Sequence, residues 1–289
     1  MRNPSIRVII WRNGLLLVLA MLSACQAAPA KPANCNPGTH STMKEHYLTG
    51  SVNAGPVVGA TVRLYLLEKG GKLSPVALDR EVCTGSDGTY QTPVLPTSID
   101  GKTLVIEASG GSFVDEASGK TFSLEGHSLY SVFPRVALGY PLGGAVTPLT
   151  DMAFRETRHD LSADPSLMPS ERADLNNFWI AIQFGLGKGE GMQNAAEIYP
   201  PVNLYDGKPH NADDAGYALI LAGLSQQAAD AGISPVDWIA QLSADADNGL
   251  MGGTATRSAS DLPAAIDRFL AGPRNPMPIK VYITPTIGP

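Results

Sequence analysis

Residues 47–73 read YLTGSVNAGPVVGATVRLYLLEKGGKL, and their periodicity decides the first half of the fold. A short strand ends at Val52, and Asn53-Ala54-Gly55-Pro56 supplies the residue types of a turn. From Ala60 to Leu67 the side chains Val62, Leu64 and Leu66 alternate with Thr61, Arg63 and Tyr65. That is the period of a half-buried strand. Working outward, KGGK at 69–72 is a turn, VALDREVCT at 76–84 is a short strand, and GSDGTY at 85–90 turns into YQTPVL. KTLVIEAS at 102–109 sets Leu104 and Ile106 against Val105, with Glu107 at its outer end, and KTFSLEG and LYSVFPRVAL close the series. Strands recurring with turn signals and without helical period predict an antiparallel β-sandwich over residues 42–140.

Two stretches carry a resemblance. LTGSVNAGPVVGATVRLY at 48–65 and TGSDGTYQTPVLP at 84–96 are similar to carboxypeptidase-regulatory-like modules of the transthyretin and immunoglobulin type. Gly55-Pro56 and Gly59 shape the first connection, Ala60 and Val62 face inward, and Asp87-Gly88 makes a tight hairpin. The resemblance implies a module that spaces, stabilises or binds and is rarely catalytic.

After Gly139 the pattern becomes helical. Thr147 is an N-cap with Pro148 at the first helical position. In SERADLNNFWIAIQFGL the residues Leu175, Phe178, Trp179, Ile182 and Leu186 share one face, with Ser170 as cap, and that face is expected to pack inward. Tyr217 to Leu224 is apolar nearly all round, which predicts a buried central helix ended by Gly232. Ser234-Pro235 starts a helix grouping Trp238, Ile239, Leu242 and Ala246, and SDLPAAIDRFLAG adds a last short one. Residues 141–271 therefore read as an all-α domain of about five helices, and the fold class is α+β. This half resembles a region that follows such β-modules in bacterial surface lipoproteins, matched at Val146 to Ala153, Ala218 to Ala228 and Asp245 to Gly249. The resemblance brings no assigned activity. A Pro-rich tail, 272–289, holds IKVYIT, which reads as an edge strand.

The amino terminus gives an address. Arg2, Arg7 and Arg12 precede LLLVLAML, an apolar run too short to span a bilayer and of the length of a secretory core. Leu22-Ser23-Ala24-Cys25 resembles the bacterial lipobox, so 1–24 reads as a lipoprotein signal peptide and Cys25 as the lipidated first residue of the mature chain. Several acyl chains on one residue meet the need for more than one chain in stable anchoring. Gln26 stands where aspartate would mark inner-membrane retention, so the resemblance implies delivery to the outer membrane, on its periplasmic or surface face. Residues 25–41 form an Ala/Pro-rich tether. With Cys25 acylated, Cys35 and Cys83 remain as an even pair in an oxidising compartment, and a disulfide between them is expected.

Removing residues 1–24 takes away three Arg and no acidic residue, leaving 18 basic against 27 acidic residues and a net charge near −9. That balance disfavours nucleic acid and offers no polybasic patch for anionic lipid. The partners expected are the bilayer, through the acyl chains, and an envelope protein or glycan.

No motif carries a confident chemistry. GHSLY at 126–130 lacks the last glycine of a nucleophile elbow and enters a strand. GLGKGEG at 185–191 follows a helix and lacks the Lys-Ser/Thr of a phosphate loop, so it reads as a helix C-cap and loop. His40, His46, His127, His159 and His210 make no ligand spacing. In SADADNGLMGG, Asp245 and Asp247 fall short of a calcium loop and read as an acidic helix end. Asp213-Asp214 reads as helix-start charge. Trp179, Trp238, Phe178 and Tyr217 sit at core spacing and read as packing residues. No cofactor and no metal is expected. A long non-periodic stretch, EIYPPVNLYDGKPHN, is the first place for a ligand, with Tyr199, Tyr205, Asp206 and His210 as candidates. The leading reading is a non-catalytic lipoprotein that binds or scaffolds. The alternatives are an envelope glycan or peptide hydrolase using carboxylates among Glu190, Glu197, Asp206, Asp213 and Asp214, and a structural part of a secretion or adhesion assembly.

Overall fold

A computed structural model describes residues 47–138, 142–186, 203–205, 212–249 and 253–275, all within one compact unit. Among the described residues, ten strands come first and five α-helices follow, so the class is α+β. The strands are β1 (Leu48–Val52), β2 (Thr61–Leu67), β3 (Leu73–Pro75), β4 (Val82–Cys83), β5 (Thr89–Gln91), β6 (Leu104–Ser109), β7 (Ser112–Val114), β8 (Thr121–Ser123), β9 (Ser128–Phe133) and β10 (Leu142–Val146). The helices are α1 (Pro148–Ala163), α2 (Pro169–Gln183), α3 (Ala212–Ala231), α4 (Pro235–Asp247) and α5 (Gly253–Ala271).

One sheet runs β3-β2-β6-β9, with β4 also on β2; a second runs β10-β1-β5; β7 and β8 form a separate hairpin. The inward residues of both sheets meet in one core, with Leu48, Val52, Val62, Leu64, Tyr90, Leu104, Ile106 and Phe133 among its buried members. Asp87-Gly88 does turn the chain, but it leads from β4 on one sheet to β5 on the other, so it is not a hairpin within a sheet. The Asp87 carboxylate accepts from the Thr89 amide at 3.1 Å and its hydroxyl at 2.7 Å, which holds that turn.

One ladder is parallel: β10 pairs with β1 from Leu48 opposite Leu142 to Val52 opposite Val146. Parallel neighbours need a long crossover, which the intervening strands provide. Gly50 and Gly144 face each other in this ladder, and a Cβ on Gly50 would lie within 2 Å of the Gly144 carbonyl oxygen. The space admits Tyr90, whose hydroxyl donates to that carbonyl at 3.2 Å.

Val146 ends β10 and Thr147 caps α1, so the strand feeds the helix without a linker. The cap is reciprocal: the Thr147 hydroxyl accepts from the Thr150 amide at 3.2 Å, and the Thr150 hydroxyl accepts from the Thr147 amide at 2.8 Å. Helices α1 and α2 then cover the outer face of the five-stranded sheet. There Tyr65, Leu67, Val105, Tyr130 and Val132 pack on Phe154, Leu161 and Ala173, and the Tyr130 and Phe154 rings stack at 4.6 Å. The helical half is therefore layered on the sheet.

The central helix is as expected: Tyr217 to Ala222 and Leu224 are buried, and Gly232 follows the helix with φ +69°. At Gly223 the side chains of Leu262 and Ile266 come so close that a Cβ would meet each at 2.7 Å, which brings α5 tight against α3. Ser234 caps α4, accepting from the Asp237 amide at 3.0 Å.

Three expectations for the helices need correction. Helix α5 begins at Gly253 and runs through Pro263; Ala255, Ala259 and Leu262 are buried in the turns before the proline, and burial outweighs the one lost hydrogen bond. Helix α2 starts at Pro169 with Met168 before it, so Ser170 lies inside the first turn and caps nothing. The third concerns the face of α2. Ala173, Asn176, Asn177, Ile180 and Ala181 are buried, while Leu175, Trp179 and Ile182 are exposed. Trp179 is thus not a core residue. The small and amide-bearing face fits the sheet edge, where donors are needed, and the more hydrophobic stripe is left outside.

Candidate functional site

Among the described residues, strand β9 lies at the edge of its sheet, with β6 on one side only. Exposed strand edges invite unwanted pairing and must be blunted. Here helical side chains do so: Asp151 accepts from the Tyr130 amide at 3.1 Å, the Thr150 hydroxyl donates to the Tyr130 carbonyl at 2.8 Å, and the Asn177 amide donates to the Val132 carbonyl at 2.8 Å. This explains why three polar residues of α1 and α2 are buried in a helical layer.

Beside this edge, β9, the β8–β9 turn and α4 enclose a cleft of about 340 Å3, lined among others by His127, Tyr130, Arg155, Ile239, Ser243 and Asp247. The size suits a small ligand. Arg155 forms one wall, its Nε donating to Asp151 at 2.8 Å and its Nη1 to Asp247 at 2.6 Å. The guanidinium also lies 5.8 Å from the centre of the Tyr130 ring. Burial works against the Arg155 charge, but the two carboxylates outweigh it and hold the group above its ordinary value. Asp151 is fully buried, and burial pushes its carboxyl up against the opposing pull of Arg155, Ser243 and the Tyr130 amide. Ser243 donates to Asp151. A nucleophilic serine needs a base free to take its proton. The base here already accepts from Arg155, Ser243 and the Tyr130 amide, so the arrangement suits a rigid wall.

Beyond Tyr130 the polar chain continues along the outer face of the sheet. Glu107, placed at the outer end of its strand by the sequence, accepts from the hydroxyls of Tyr65 at 2.8 Å, Ser128 at 3.0 Å and Tyr130 at 3.0 Å. Burial, then the bond to Glu107, pushes the Tyr65 phenol up to about 12.

A second polar cluster sits where the β7–β8 turn meets α3. Asp115 is buried and accepts from the Ser118 amide at 2.8 Å, the Ser118 hydroxyl at 2.5 Å and the Ser225 hydroxyl at 2.5 Å. Its neighbour Glu116 is equally buried, and one of its carboxyl oxygens has no hydrogen-bond partner. Burial, then the charge of Asp115, pushes the Glu116 carboxyl up to about 8.

Of the candidate ligand residues, only Tyr205 belongs to the described residues. It is 39% exposed, its hydroxyl lies 3.0 Å from the carbonyls of Glu116 and Arg274, and the Arg274 guanidinium stands 5.6 Å from its ring centre. It ties the β7–β8 turn to the segment after α5. Tyr199, Asp206 and His210, with Glu190 and Glu197, lie outside the described residues, as does most of GLGKGEG. Gly185 follows α2 with φ +76°, the helix end expected there. Asp213 and Asp214 fall in the first turn of α3.

Asp245 accepts from the Ala255 amide at 2.8 Å and so caps α5, while Asp247 holds Arg155. His127 lines the cleft, and His159 Nδ1 lies 3.0 Å from the Asp247 carbonyl. Among the described residues no group of three or more His, Cys, Asp or Glu could hold a metal, and no helix is long and apolar enough to cross a membrane. Cys83 is buried on β4 and is engaged with a partner, while Cys25 and Cys35 lie outside the described residues. Sequence reading missed Asp151, Arg155 and Glu116 altogether. The one available signal for the first two was their i, i+4 spacing on α1.

These features define an α+β protein with a side-chain-blunted sheet edge and a polar cleft beside it. The chain matches no family model, no curated protein and no solved structure.

Proposed function

We propose that the chain is an exported, lipid-anchored protein of the bacterial outer membrane that binds or scaffolds and does not catalyse. The two sheets around one core are read as a β-sandwich module of the carboxypeptidase-regulatory-like kind, with the helices as its second layer. The observation that carries the binding reading is Arg155, whose Nε and Nη1 donors are committed to Asp151 and Asp247 in the cleft wall. A ligand there meets hydroxyls, His127 and apolar side chains beside the mutually paired Arg155 and Asp247, suited to a neutral glycan or a peptide segment of an envelope partner. In-cell crosslinking from a photoreactive residue at Ala240, in the cleft wall, tests this: a discrete partner is expected, and turnover of an envelope substrate abolished by cleft substitutions overturns it.

The anchor reading rests on the lipobox-like Leu22-Ser23-Ala24-Cys25. Globomycin is expected to block maturation, and Cys25→Ala to abolish lipobox processing. Normal maturation in both experiments would sink it. The staple between Cys35 and Cys83 is part of the same proposal, supported by Cys83 being engaged and by the sequence holding only three cysteines. Alkylation of the denatured Cys25→Ala chain should label no thiol before reduction and two after it.

A further inference from the structure

Helix α2 is apolar on two opposite faces. One packs into the molecule through Ala173, Ile180 and Ala181. The other carries Leu175, Trp179 and Ile182 at 40, 54 and 42% exposure, with Met168 at 46% just before the helix and Phe178 edge-on to Trp179 at 5.7 Å. The spacing i, i+3, i+4, i+7 places Leu175, Phe178, Trp179 and Ile182 in a single stripe. We infer that this stripe seats on the surface of the bilayer that holds the anchor, as a second, non-covalent membrane contact made by zwitterionic lipid.

Three observations select that occupant. Aromatic side chains offer roughly 150–250 Å2 each, so the half-exposed stripe presents on the order of 400 Å2, within the roughly 300–600 Å2 of a monomer's largest patch, which is often functional. That is about half of the roughly 800 Å2 that each partner contributes to a stable protein pair. The stripe is therefore too small for a second copy to hold by itself, yet sufficient for a surface to which the chain is already tied, because tethering supplies effective concentration. The second observation is reach. With Cys35 stapled to Cys83 as proposed above, the free tether runs the ten positions from Cys25 to Cys35 and covers at most about 35 Å, which keeps the molecule close to the bilayer. The third is charge. Glu171 and Asp174 are exposed on the same helix and the mature chain is acidic, which excludes anionic lipid and leaves neutral headgroups. Trp and Phe flanked by Leu and Ile suit the headgroup boundary, where one end of a ring is wet and the other apolar.

The inference rests on the anchored reading above, and its test does not. The full mature chain carrying Cys25→Ala has no acyl group, and its tryptophans are Trp179 and Trp238. In a Trp238→Phe background, titration with phosphatidylcholine vesicles should shift the Trp179 emission to the blue and carry the protein into the vesicle pellet at millimolar lipid. Leu175→Glu and Ile182→Glu, both at exposed positions, should weaken partitioning at least tenfold, and added phosphatidylglycerol should weaken it further. Unchanged emission and sedimentation overturn the inference, as does partitioning indifferent to Leu175→Glu. A concentration-dependent dimer abolished by Leu175→Glu would also overturn it, assigning the stripe to a second copy. Loss of globomycin sensitivity would remove the anchor while leaving the vesicle result standing.

Discussion

Asp151→Ala should lower the unfolding free energy by about 3–5 kcal/mol, the cost of breaking a buried hydrogen-bonded ion pair from one side. The carboxylate has no solvent exposure and serves three donors: the Tyr130 amide on the sheet edge, Arg155 Nε and the Ser243 hydroxyl. Alanine takes this acceptor from the buried Tyr130 amide, from Arg155 Nε and from the Ser243 hydroxyl, while Arg155 keeps only its bond to Asp247. The charge is not the source of the stability. Burial holds the Asp151 carboxyl above its ordinary value despite those donors, so ionisation costs more inside the protein than outside. By linkage, a raised carboxyl stabilises the fold fully only below its unfolded value, and that contribution fades as pH rises through the folded value. Asp151→Asn should therefore fall between wild type and alanine, because its amide oxygen still accepts from Tyr130 while its nitrogen cannot serve Arg155. Asp247 holds the same guanidinium from a half-exposed position, so Asp247→Ala should cost within about 1 kcal/mol. Urea denaturation of the three variants decides the matter; equal small losses for Asp151→Ala and Asp247→Ala would refute the edge-capping role.

That edge was not legible beforehand, although much around it was. Period-two alternation and Gly/Pro/Asp turns located β1, β2, β6 and β9, and the Thr147-Pro148 pair located the start of α1. Strand β10 escaped because Leu142-Gly143-Gly144-Ala145-Val146 holds two glycines, which signal a turn, while the structure uses Gly144 for close approach to Tyr90. The layering of helix on sheet did leave a trace. Leu104, Val105 and Ile106 are consecutive apolar residues and all are buried, which a sheet with one wet face does not require. On α2 the pattern misled outright, since the stripe with the strongest hydrophobic signal is the one exposed. Periodicity ranks faces by hydrophobicity, whereas packing ranks them by fit; Asn177 is buried because the Val132 carbonyl needs a donor. The polar clusters were invisible for a related reason. Asp151 and Asp245 are alike in sequence, one buried against a strand and the other capping a helix, and only tertiary contact separates them. Of the candidate ligand residues in the predicted loop, Tyr205 alone is described, and it is bound to backbone carbonyls of the β7–β8 turn and the segment after α5.

Glu116→Gln should stabilise the protein at alkaline pH and flatten its stability profile between about pH 5 and 9. The wild-type carboxyl rises from an ordinary 4.5 to about 8, first through burial and then through Asp115 beside it. The sign follows directly. Below pH 4.5 both folded and unfolded chains carry a protonated Glu116, and its contribution is fully present. Between 4.5 and 8 the unfolded chain ionises while the folded one holds its proton, so stability falls steadily as pH rises. Above 8 the folded chain must ionise too, and the loss is complete. At 1.36 kcal/mol per pH unit the full loss is on the order of 3–5 kcal/mol, the upper end applying if the site does not relax. Glutamine is neutral throughout and removes this slope. Its amide leaves a buried donor in place of the acid's hydroxyl, so the variant should match or fall slightly below wild type near pH 4.5 and exceed it above pH 8. The β7–β8 turn would be the first part to report the change, since Glu116 sits between Asp115 and Ala117, which bind Ser225 of α3. Asp115→Asn should lower the Glu116 carboxyl, because it removes the second cause and leaves the first. Urea midpoints of wild type and Glu116→Gln measured from pH 5 to 9 settle the question: the two curves should cross and diverge, and a constant separation would show that Glu116 does not hold its proton inside the fold.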